Sequence, residues 1–253
     1  VSVVIEKDRL PRHVAVIMDG NGRWAQRRGL SRLEGHRRGK EAVRNIVDAS
    51  REIGLSYLTL YAFSSENWQR PAQEVRALMG LLNRYLRTEL RRMMRYNIRL
   101  QSVGDLERLP ANVRKSLLDV IAATKENTGL TVVLAISYGA REEIVAAVQA
   151  LAEAVRTGQL DPQAIDEQTI GNMLWTADIP DPDLLIRTSG EFRISNFLLW
   201  QLAYTELYVT ETLWPDFDQD AFLQALAEYQ SRDRRFGRTA EQRGETELKR
   251  AAR

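Results

Sequence analysis

The chain has 253 residues, of which 44% are hydrophobic and 28% are charged, and its formal net charge is only +2. This length suits a single α/β domain with a sizeable core, and the small net charge excludes the broad basic field typical of nucleic-acid binding. The absence of cysteine excludes disulfides, thiolate metal sites and a cysteine nucleophile. No stretch reaches the roughly 18 apolar residues that span a bilayer and no signal peptide pattern is present, so we expect a soluble or peripheral protein.

Six short apolar runs alternate with longer stretches of helical periodicity between residues 10 and 236. The runs are nearly continuous in apolar residues, as in strands that are buried on both faces. The alternation favours an α/β fold with a central, mainly parallel sheet covered by helices, and Gly54 and Pro71 suit a helix end and a helix start. The predicted strands are 14–18, 57–63, 98–103, 130–136, 184–186 and 207–209, and the predicted helices lie near 38–53, 72–96, 110–127, 141–157 and 218–231.

Polar residues directly follow three of the predicted strands. Residues 19–24 follow the first run, residues 64–68 follow the second and residues 187–191 follow the fifth. In a parallel sheet the carboxyl ends of the strands share one edge, and ligands bind at that edge in open α/β sheets. We therefore expect these three loops to meet and to form the active site.

The first loop has the composition of a diphosphate-binding loop. Gly20 and Gly22 let the backbone approach an anion closely, and a helix that starts near Arg23 adds its positive end. Arg32 and His36 supply further donors, and arginine can bind phosphate oxygens bidentately. The alternative is an Asp-Gly turn with solvated arginines; the pattern is neither a Walker loop nor a dinucleotide GxGxxG.

Asp19 is a carboxylate inside this predicted anion site. A bridging cation explains its presence, because magnesium in proteins is held by one or two carboxylates together with substrate phosphates. Glu206 is a candidate for a second metal carboxylate. The alternatives are that Asp19 caps the following turn and that Glu206 is an ordinary surface residue.

A second phosphate clamp is predicted in the fifth strand's loop. Arg187, Arg193 and Ser195 flank Gly190 within nine residues and supply two guanidinium groups and a hydroxyl. The alternative is a surface loop of ion pairs that involves Glu191. Two separate clamps indicate two phosphorylated substrates.

The helix predicted at 72–96 has one broad apolar face, which we interpret as a wall of an apolar tunnel, with ordinary core packing as the alternative. The strand at 130–136, beginning at Leu130, is expected to form another wall. A second face of the helix is solvated or contacts an anionic membrane surface, and it carries Arg84, Arg87, Arg91 and Arg95.

At these residues the sequence resembles a known family. HVAVIMDGNGRW at 13–24, YAFSSENW at 61–68 with the following Arg70-Pro71, and IRTSGE at 186–191 with RISNFLLW at 193–200 resemble motifs of the cis-prenyltransferases. ELY at 206–208 and WPDF at 214–217 resemble their last motif. The match runs in the family's order from about residue 11 to residue 237, and the type is bacterial undecaprenyl diphosphate synthase.

The resemblance implies a homodimer whose parallel six-stranded sheet encloses a hydrophobic tunnel. It implies Mg²⁺-dependent condensation of isopentenyl diphosphate units onto an allylic diphosphate, with farnesyl diphosphate as the primer. The implied product is a long-chain Z-polyprenyl diphosphate, undecaprenyl diphosphate, a lipid carrier precursor for cell-wall glycans. A cytoplasmic location with transient contact at the inner face of the plasma membrane and no nucleic-acid partner is also implied.

The family also implies a role for each matching residue. Asp19 is expected to be catalytic and to bind magnesium together with Glu206. Asn67 matches the family's proton acceptor, but a neutral amide is a poor base, so we expect it to orient substrate or relay a proton. The implied substrate-binding residues are Gly20, Asn21, Gly22, Arg23, Trp24, Arg32 and His36 for the allylic diphosphate, Ser64, Ser65, Glu66, Trp68 and Arg70 along the substrate site, and Arg187, Arg193, Ile194 and Ser195 for isopentenyl diphosphate.

Two departures and three alternatives complete the interpretation. Ser137-Tyr-Gly-Ala-Arg141 replaces the common Asn-Tyr-Gly-Gly-Arg, and Phe192 replaces a histidine that some relatives place near the metal. The sequence disfavours three alternative functions. A trans-prenyltransferase is all-helical and carries Asp-Asp-x-x-Asp motifs, which are absent here, and a silent lipid-binding relative lacks the aspartate and arginines that are present here. A nucleotide-binding protein carries a Walker or base-reading signature, and this sequence has neither. We predict one catalytic domain at 11–237 and a charged tail at 238–253.

Overall fold

The computed structural model describes residues 5–232 and has a six-stranded parallel sheet at its centre, in the order β3-β4-β2-β1-β5-β6. All six predicted strands are confirmed to within two residues at each end. The strands are β1 (His13–Ile17), β2 (Tyr57–Ser64), β3 (Arg99–Val103), β4 (Thr131–Tyr138), β5 (Leu184–Arg187) and β6 (Glu206–Val209).

Helices cover both faces of this sheet, and the five predicted helices are present. The predicted cap positions are also confirmed, with Pro71 directly before α3 and Gly54 ending α2 at a φ of 89°. A short helix over Glu167–Gly171 was not predicted. The helices are α1 (Asn21–Gln26), α2 (Arg32–Ile53), α3 (Ala72–Arg95), α4 (Ala111–Thr124), α5 (Ala140–Arg156), α6 (Glu167–Gly171) and α7 (Gln219–Ser231).

The predicted start of α2 was wrong, because the helix begins at Arg32 after Ser31, whose side chain accepts a hydrogen bond from the Glu34 backbone. Gly35 and Gly39 explain the error. A Cβ atom at Gly35 would lie 2.0 Å from the carbonyl oxygen of Asn21, and one at Gly39 would lie 2.3 Å from the Asn21 side-chain oxygen. The glycines let α2 pack directly on the loop after β1, but their low helix propensity hides the helix in the sequence.

The core lies on both sides of the sheet. Along β1, Val14 and Val16 point into the cluster that includes α2, α3, α4 and α7, while Ala15 and Ile17 point into the cluster on the α5 side. All residues of β1 and β4 are buried, which accounts for their continuously apolar runs. The two core layers fix the strand ends where the polar loops begin.

Residues 233–237 of the predicted domain and the whole predicted tail at 238–253 lie outside the described residues, so those boundaries stay predictions. Within residues 5–232, no helix combines the length and apolar character that crossing a membrane requires.

Candidate active site

The three polar loops meet at the carboxyl edge of the sheet, where β2, β1 and β5 are neighbours. Asp19, after β1, accepts a hydrogen bond from Arg187 at the end of β5 over 2.9 Å. Glu66, after β2, accepts one from Asn196 in the fifth strand's loop over 2.8 Å. The prediction that these loops converge is confirmed.

Five residues from the first and third loops form what we call the strand-end cluster: Asp19, Arg23, Arg187, Arg193 and Ser195. One oxygen of Asp19 accepts hydrogen bonds from Arg187 (2.9 Å) and Arg23 (3.2 Å), and the other accepts one from the Gly20 backbone (2.7 Å). Arg187 also donates to Ser195 Oγ over 2.8 Å and is 4% exposed. The Asp19 carboxylate is thus held by Arg23 and Arg187, while Arg193 pairs with Glu191 at 2.5 Å.

Neighbouring residues that the sequence interpretation left without a role hold this cluster in place. The Thr188 hydroxyl donates to the Asp19 carbonyl over 2.7 Å and accepts from the Asp19 backbone over 2.9 Å. Arg23 donates to Ser189 Oγ over 2.5 Å and pairs with Glu191 at 3.1 Å. The sequence could have indicated Thr188, Ser189 and Glu191 as site residues, because all three lie in the loop that directly follows β5.

The charges of the cluster keep Asp19 ionised. Burial by itself would raise the pKa of this carboxyl, but the hydrogen bond from Arg187 and the positive charges of Arg23 and Arg187 outweigh it. The pKa of Asp19 therefore lies below its ordinary value.

A second group of four residues, the cavity-mouth cluster, consists of Arg32, His36, Arg70 and Glu74. Glu74 pairs with Arg70 at 3.1 Å and with Arg32 at 3.7 Å. The Nε2 atom of His36 is buried and has no hydrogen-bond partner among the described residues. Burial, reinforced by the charge of Arg70, lowers the pKa of His36 to about 4, so the imidazole is neutral at pH 7 and Nε2 is available to a ligand.

A cavity of about 430 Å³ opens beside this cluster between α2, α3, β2 and β4. The cavity has a mixed lining. Its polar lining includes Asn21, His36, Asn67 and Arg70 and the further cations Arg37, Lys40, Arg44 and Arg84, and its apolar lining includes Ala62, Leu78, Leu81, Leu82 and Leu134. The apolar face of α3 is divided between this cavity and the core.

The prediction that the strand at 130–136 forms a wall of the apolar tunnel was partly wrong. Leu134 lines the cavity, whereas Leu130, which precedes β4 at the amino edge, is not among the described residues that line it. Leu130 packs in the core with 3% exposure.

The second loop forms a 3₁₀ helix over Ser65–Gln69 that braces the edge of the site. Asn67 accepts a hydrogen bond from the Ser64 backbone over 3.2 Å, and Trp68 donates to Ser137 over 2.9 Å. Ser65 donates to Glu142 at the start of α5 over 2.8 Å. The Asn67 side-chain oxygen is already engaged, which agrees with a positioning role for this residue.

The loops at this edge also carry unusual backbone conformations. Ser137, Ser189, Ser195 and Asn196 have positive φ angles of 51°, 78°, 49° and 58°. Such angles cost energy for residues other than glycine and concentrate at functional sites. Ser137 is one of the last two residues of β4, and the other three lie in the loop that follows β5.

The sequence profile described as "Putative undecaprenyl diphosphate synthase" matches residues 17–237. The chain belongs to this family. Isoprenyl transferases from Porphyromonas gingivalis and Heliobacterium mobile are 54% and 52% identical to it, and each alignment covers 92% of this chain and at least 90% of the relative.

Two solved structures share the fold of this family member. Lavandulyl diphosphate synthase from Lavandula x intermedia, in complex with dimethylallyl diphosphate, has a TM-score of 0.89 and 39% identity, with coverage of 91% of this chain and 99% of that one. A probable undecaprenyl diphosphate synthase from Campylobacter jejuni has a TM-score of 0.75 and 36% identity, with coverage of 90% and 99%. The chain is an isoprenyl transferase of the cis-prenyltransferase type, and its parallel sheet excludes the all-helical trans-prenyltransferase alternative.

Two residues implied by the family resemblance, Trp24 and Ile194, face the core, and Phe192, a departure from the family pattern, is exposed. Trp24 is 8% exposed, and its Nε1 donates to Asp216 over 2.7 Å. Ile194 packs against the core on the α5 side. Phe192 is 85% exposed, so the departure at this position leaves an apolar side chain in solvent.

Within one chain Glu206 lies far from Asp19, so its metal role stays a prediction that requires a second copy of the chain. It begins β6 in register with Leu184 and Val14, and Asp19 lies about 16 Å further along the strand direction at about 3.3 Å per residue. Its carboxylate pairs with Arg232 at 3.1 Å. The described part of the chain contains no group of three or more His, Asp or Glu side chains placed to hold a metal.

Proposed function

We propose that this isoprenyl transferase condenses isopentenyl diphosphate units onto farnesyl diphosphate and releases undecaprenyl diphosphate, a lipid carrier precursor for cell-wall glycans. One observation carries the proposal. Two groups of anion-binding side chains lie at the same edge of the sheet, and one of them opens into an apolar cavity of about 430 Å³. Two diphosphates and one growing hydrocarbon chain need this combination of sites.

The position of the cavity supports an assignment of the two clusters. The allylic substrate carries the hydrocarbon chain, so its diphosphate belongs at the cavity mouth with Arg32, His36 and Arg70. The isopentenyl diphosphate then belongs at the strand-end cluster with Arg187, Arg193 and Ser195. The loop from Gly20 to Arg23 lies between the two clusters, since a Cβ atom at Gly22 would lie 3.2 Å from Cζ of Arg32 while Arg23 donates to Asp19. This position supports the predicted role of the loop in binding the allylic diphosphate.

The reaction follows from this arrangement. The isopentenyl double bond attacks the allylic carbon while the diphosphate leaves, and loss of a proton completes the new Z double bond. Arg32 and Arg70 at the cavity mouth stabilise the charge that develops on the leaving allylic diphosphate. Asn67 orients the substrate, and burial of each added unit in the cavity stabilises the growing chain.

Magnesium is the proposed cofactor. Asp19 is ionised, its side chain is 32% exposed and it lies among the groups that hold diphosphate, which fits a site of one carboxylate completed by substrate phosphates. When bound, the ion would supply Lewis-acid stabilisation of the leaving group. Glu206 can join this site only from a second copy of the chain.

A homodimer through the β6 side is part of the proposal. Val145 and Val148 on α5 and Tyr204 and Leu207 near β6 are 51–74% exposed, and clustered exposed apolar residues next to an edge strand mark an interaction surface. Leu207→Glu should convert the dimer to a monomer in sedimentation, whereas Leu118→Glu on α4 should leave it unchanged.

A transient contact with the cytoplasmic face of the membrane is also proposed. Arg84, Arg87, Arg91 and Arg95 are exposed along α3 and form no ion pair among the described residues, and such a stripe is attracted to anionic lipids. Replacing the four arginines with glutamine should reduce sedimentation with phosphatidylglycerol vesicles and leave sedimentation with phosphatidylcholine vesicles unchanged.

Incorporation of radiolabelled isopentenyl diphosphate tests the proposed activity directly. Purified protein with farnesyl diphosphate and Mg²⁺ should yield a labelled long-chain product, and chelation with EDTA should stop the reaction. Absence of incorporation in a folded protein would instead support a silent lipid-binding relative.

A further inference from the structure

Two consecutive residues in the loop after β5 have a strained backbone beside the strand-end cluster. Ser195 and Asn196 have φ angles of 49° and 58°, in the left-handed region that costs energy for residues other than glycine. The Ser195 hydroxyl accepts a hydrogen bond from Arg187 over 2.8 Å. This conformation thus presents a group of the proposed isopentenyl diphosphate site, and contacts elsewhere in the fold have to stabilise it.

Asn196 makes such contacts by capping a helix that follows a different strand. The first backbone N–H groups of a helix have no partner within that helix. The N–H groups of Ala140 and Arg141, at the start of α5, donate to the Asn196 carbonyl over 2.8 Å and to the Asn196 side-chain oxygen over 2.9 Å. The loop after β5 is thereby fixed to the amino end of α5.

Glu142, the third residue of α5, holds the other side of the Asn196 amide. Asn196 Nδ2 donates to one oxygen of Glu142 over 3.1 Å and to Glu66 over 2.8 Å. The other oxygen of Glu142 accepts a hydrogen bond from the Ser65 hydroxyl over 2.8 Å. Glu142 therefore joins the loops after β2 and β5 to the start of α5.

The Glu142 carboxylate is ionised in this position. Burial by itself would raise its pKa, but hydrogen bonds from Ser65, from its own backbone and from Asn196 outweigh burial and lower the pKa below its ordinary value. Hydrogen bonds to an ionised carboxylate are stronger than those between neutral groups. The contacts of Glu142 are therefore able to hold a strained loop.

Gly139 leaves the space that this arrangement needs. A Cβ atom at Gly139 would lie 2.1 Å from a carboxylate oxygen of Glu142, 2.5 Å from the Ser65 hydroxyl and 2.8 Å from the Asn196 amide nitrogen. Its φ of −150° is open to any residue, so close packing requires the glycine here. We call Ser65, Gly139, Glu142 and Asn196 the α5 junction.

We propose that Glu142 is a positioning residue for isopentenyl diphosphate, which acts through Asn196 to hold Ser195 in the geometry that binds the diphosphate. This inference rests on the proposed function. In the part of the chain that the structure describes, no residue of the α5 junction lines the 430 Å³ cavity or belongs to the cavity-mouth cluster. Loss of Glu142 should therefore affect isopentenyl diphosphate and spare the allylic substrate.

Steady-state kinetics on four variants tests the proposal. Glu142→Ala should raise the KM for isopentenyl diphosphate about tenfold, and the KM for farnesyl diphosphate and kcat at saturation should change little, as expected for lost binding alone. The effect is partial because the Tyr61 hydroxyl also donates to the Ser195 carbonyl, over 3.3 Å. Gly139→Ala, whose methyl group displaces the Glu142 carboxylate, should resemble Glu142→Ala.

Two further variants separate positioning from charge and from general effects on α5. Glu142→Gln can accept from Asn196 and donate to Ser65, so its KM for isopentenyl diphosphate should return close to that of the wild type. Glu153→Ala is the matched control, because Glu153 lies on the last turns of α5 and pairs with Arg156. Its kinetic constants should equal those of the wild type.

Calorimetric titration with isopentenyl diphosphate alone distinguishes this inference from the proposed activity. If the wild type incorporates no label but binds isopentenyl diphosphate about tenfold more tightly than Glu142→Ala, the proposed function fails and the positioning role stands. The positioning role is overturned if folded Glu142→Ala binds this substrate as the wild type does, or if both KM values rise equally. It is also overturned if Glu142→Gln is impaired as much as Glu142→Ala.

Discussion

The two anion-binding clusters differ in how completely the protein itself builds them. In the strand-end cluster, the Arg187 side chain is 5% exposed and is bonded to Asp19 and Ser195. In the cavity-mouth cluster, the Arg32 side chain is 62% exposed and lies 3.7 Å from the Glu74 carboxylate. His36 has a buried nitrogen atom without a partner in the described chain.

The two clusters differ in rigidity because different secondary-structure elements carry their residues. Arg187 ends a buried strand, so the sheet fixes its backbone, whereas Arg32 and His36 belong to the first turns of α2 and Arg70 precedes α3. A preformed cluster suits isopentenyl diphosphate, because its short hydrocarbon contributes little binding and fixed side chains have to hold its diphosphate. A less complete cluster suits a substrate that the hydrocarbon cavity also holds.

Removal of Asp19 should have the largest effect. Asp19→Ala should lower kcat by at least about 100-fold at saturating magnesium, because it removes the proposed metal carboxylate and leaves two arginines without their partner. Steady-state kinetics with circular dichroism as a check on folding measures this. Asp119→Ala on the exposed face of α4 is the matched control, and an Asp19→Ala enzyme within tenfold of the wild type would refute the metal role.

Loss of the strand-end arginines should act selectively on isopentenyl diphosphate. Arg187→Ala should raise the KM for this substrate by about 10- to 100-fold, as expected for a lost hydrogen bond to a charged group, and Arg193→Ala should act in the same direction. The KM for the allylic substrate should change much less. A selective loss of allylic substrate binding would reverse the assignment of the two clusters.

The cavity-mouth arginines should give the opposite pattern with a smaller effect. Arg70→Ala should raise the KM for farnesyl diphosphate by about tenfold, because the hydrocarbon chain still contributes binding in the cavity. Arg32→Ala should behave similarly, while Arg28→Ala, outside both clusters, should not. Equal changes in both KM values would mean that the two clusters form one shared site.

The smallest effect concerns stability against pH. Burial lowers the pKa of His36 to about 4 from 6.5, and burial does the same for His13, the chain's other histidine. The unfolded state takes up protons near pH 6.5 that the native state binds only near pH 4, so stability is complete above pH 6.5 and falls as the pH decreases through this window. The expected loss between pH 7.5 and pH 6 is about 1 kcal/mol per histidine.

Urea unfolding at these two pH values measures the effect. His36→Gln should remove about half of the pH dependence, and saturating farnesyl diphosphate should protect the wild type more than this variant. If His36→Gln leaves the pH dependence of the unfolding free energy unchanged, His36 must take up its proton in the native protein over this same pH range.

The sheet was predictable because its physical causes are local. Buried parallel strands need continuous apolar runs, and loops after their carboxyl ends converge whatever the strand order. The hydrogen bonds that join Ser65 and Asn196 to Glu142 were not predictable, because they depend on β4 lying next to β2. Strand order is a property of the whole chain and leaves no local pattern.

Glu206 illustrates a placement that a single chain leaves open. The rule that placed the three loops concerns residues that follow a strand, and Glu206 precedes the apolar run at 207–209. Applied consistently, the rule assigns Glu206 to the amino edge, where the structure has it. Its metal role therefore stays a prediction that depends on a second copy of the chain.

The close packing of Gly35 and Gly39 has a mechanical consequence for the cavity. With so little space between these residues and Asn21, and with Trp214 donating to the Gly39 carbonyl over 2.9 Å, the first half of α2 cannot shift without moving the loop that carries Asp19. The first half of α2 is thus the fixed side of the cavity. Any widening that admits a primer or releases a product therefore has to involve the α3 side of the cavity, against the Arg44–Glu89 and Arg92–Asp48 pairs that join α2 to α3, while Asp19, the proposed metal ligand, stays in place.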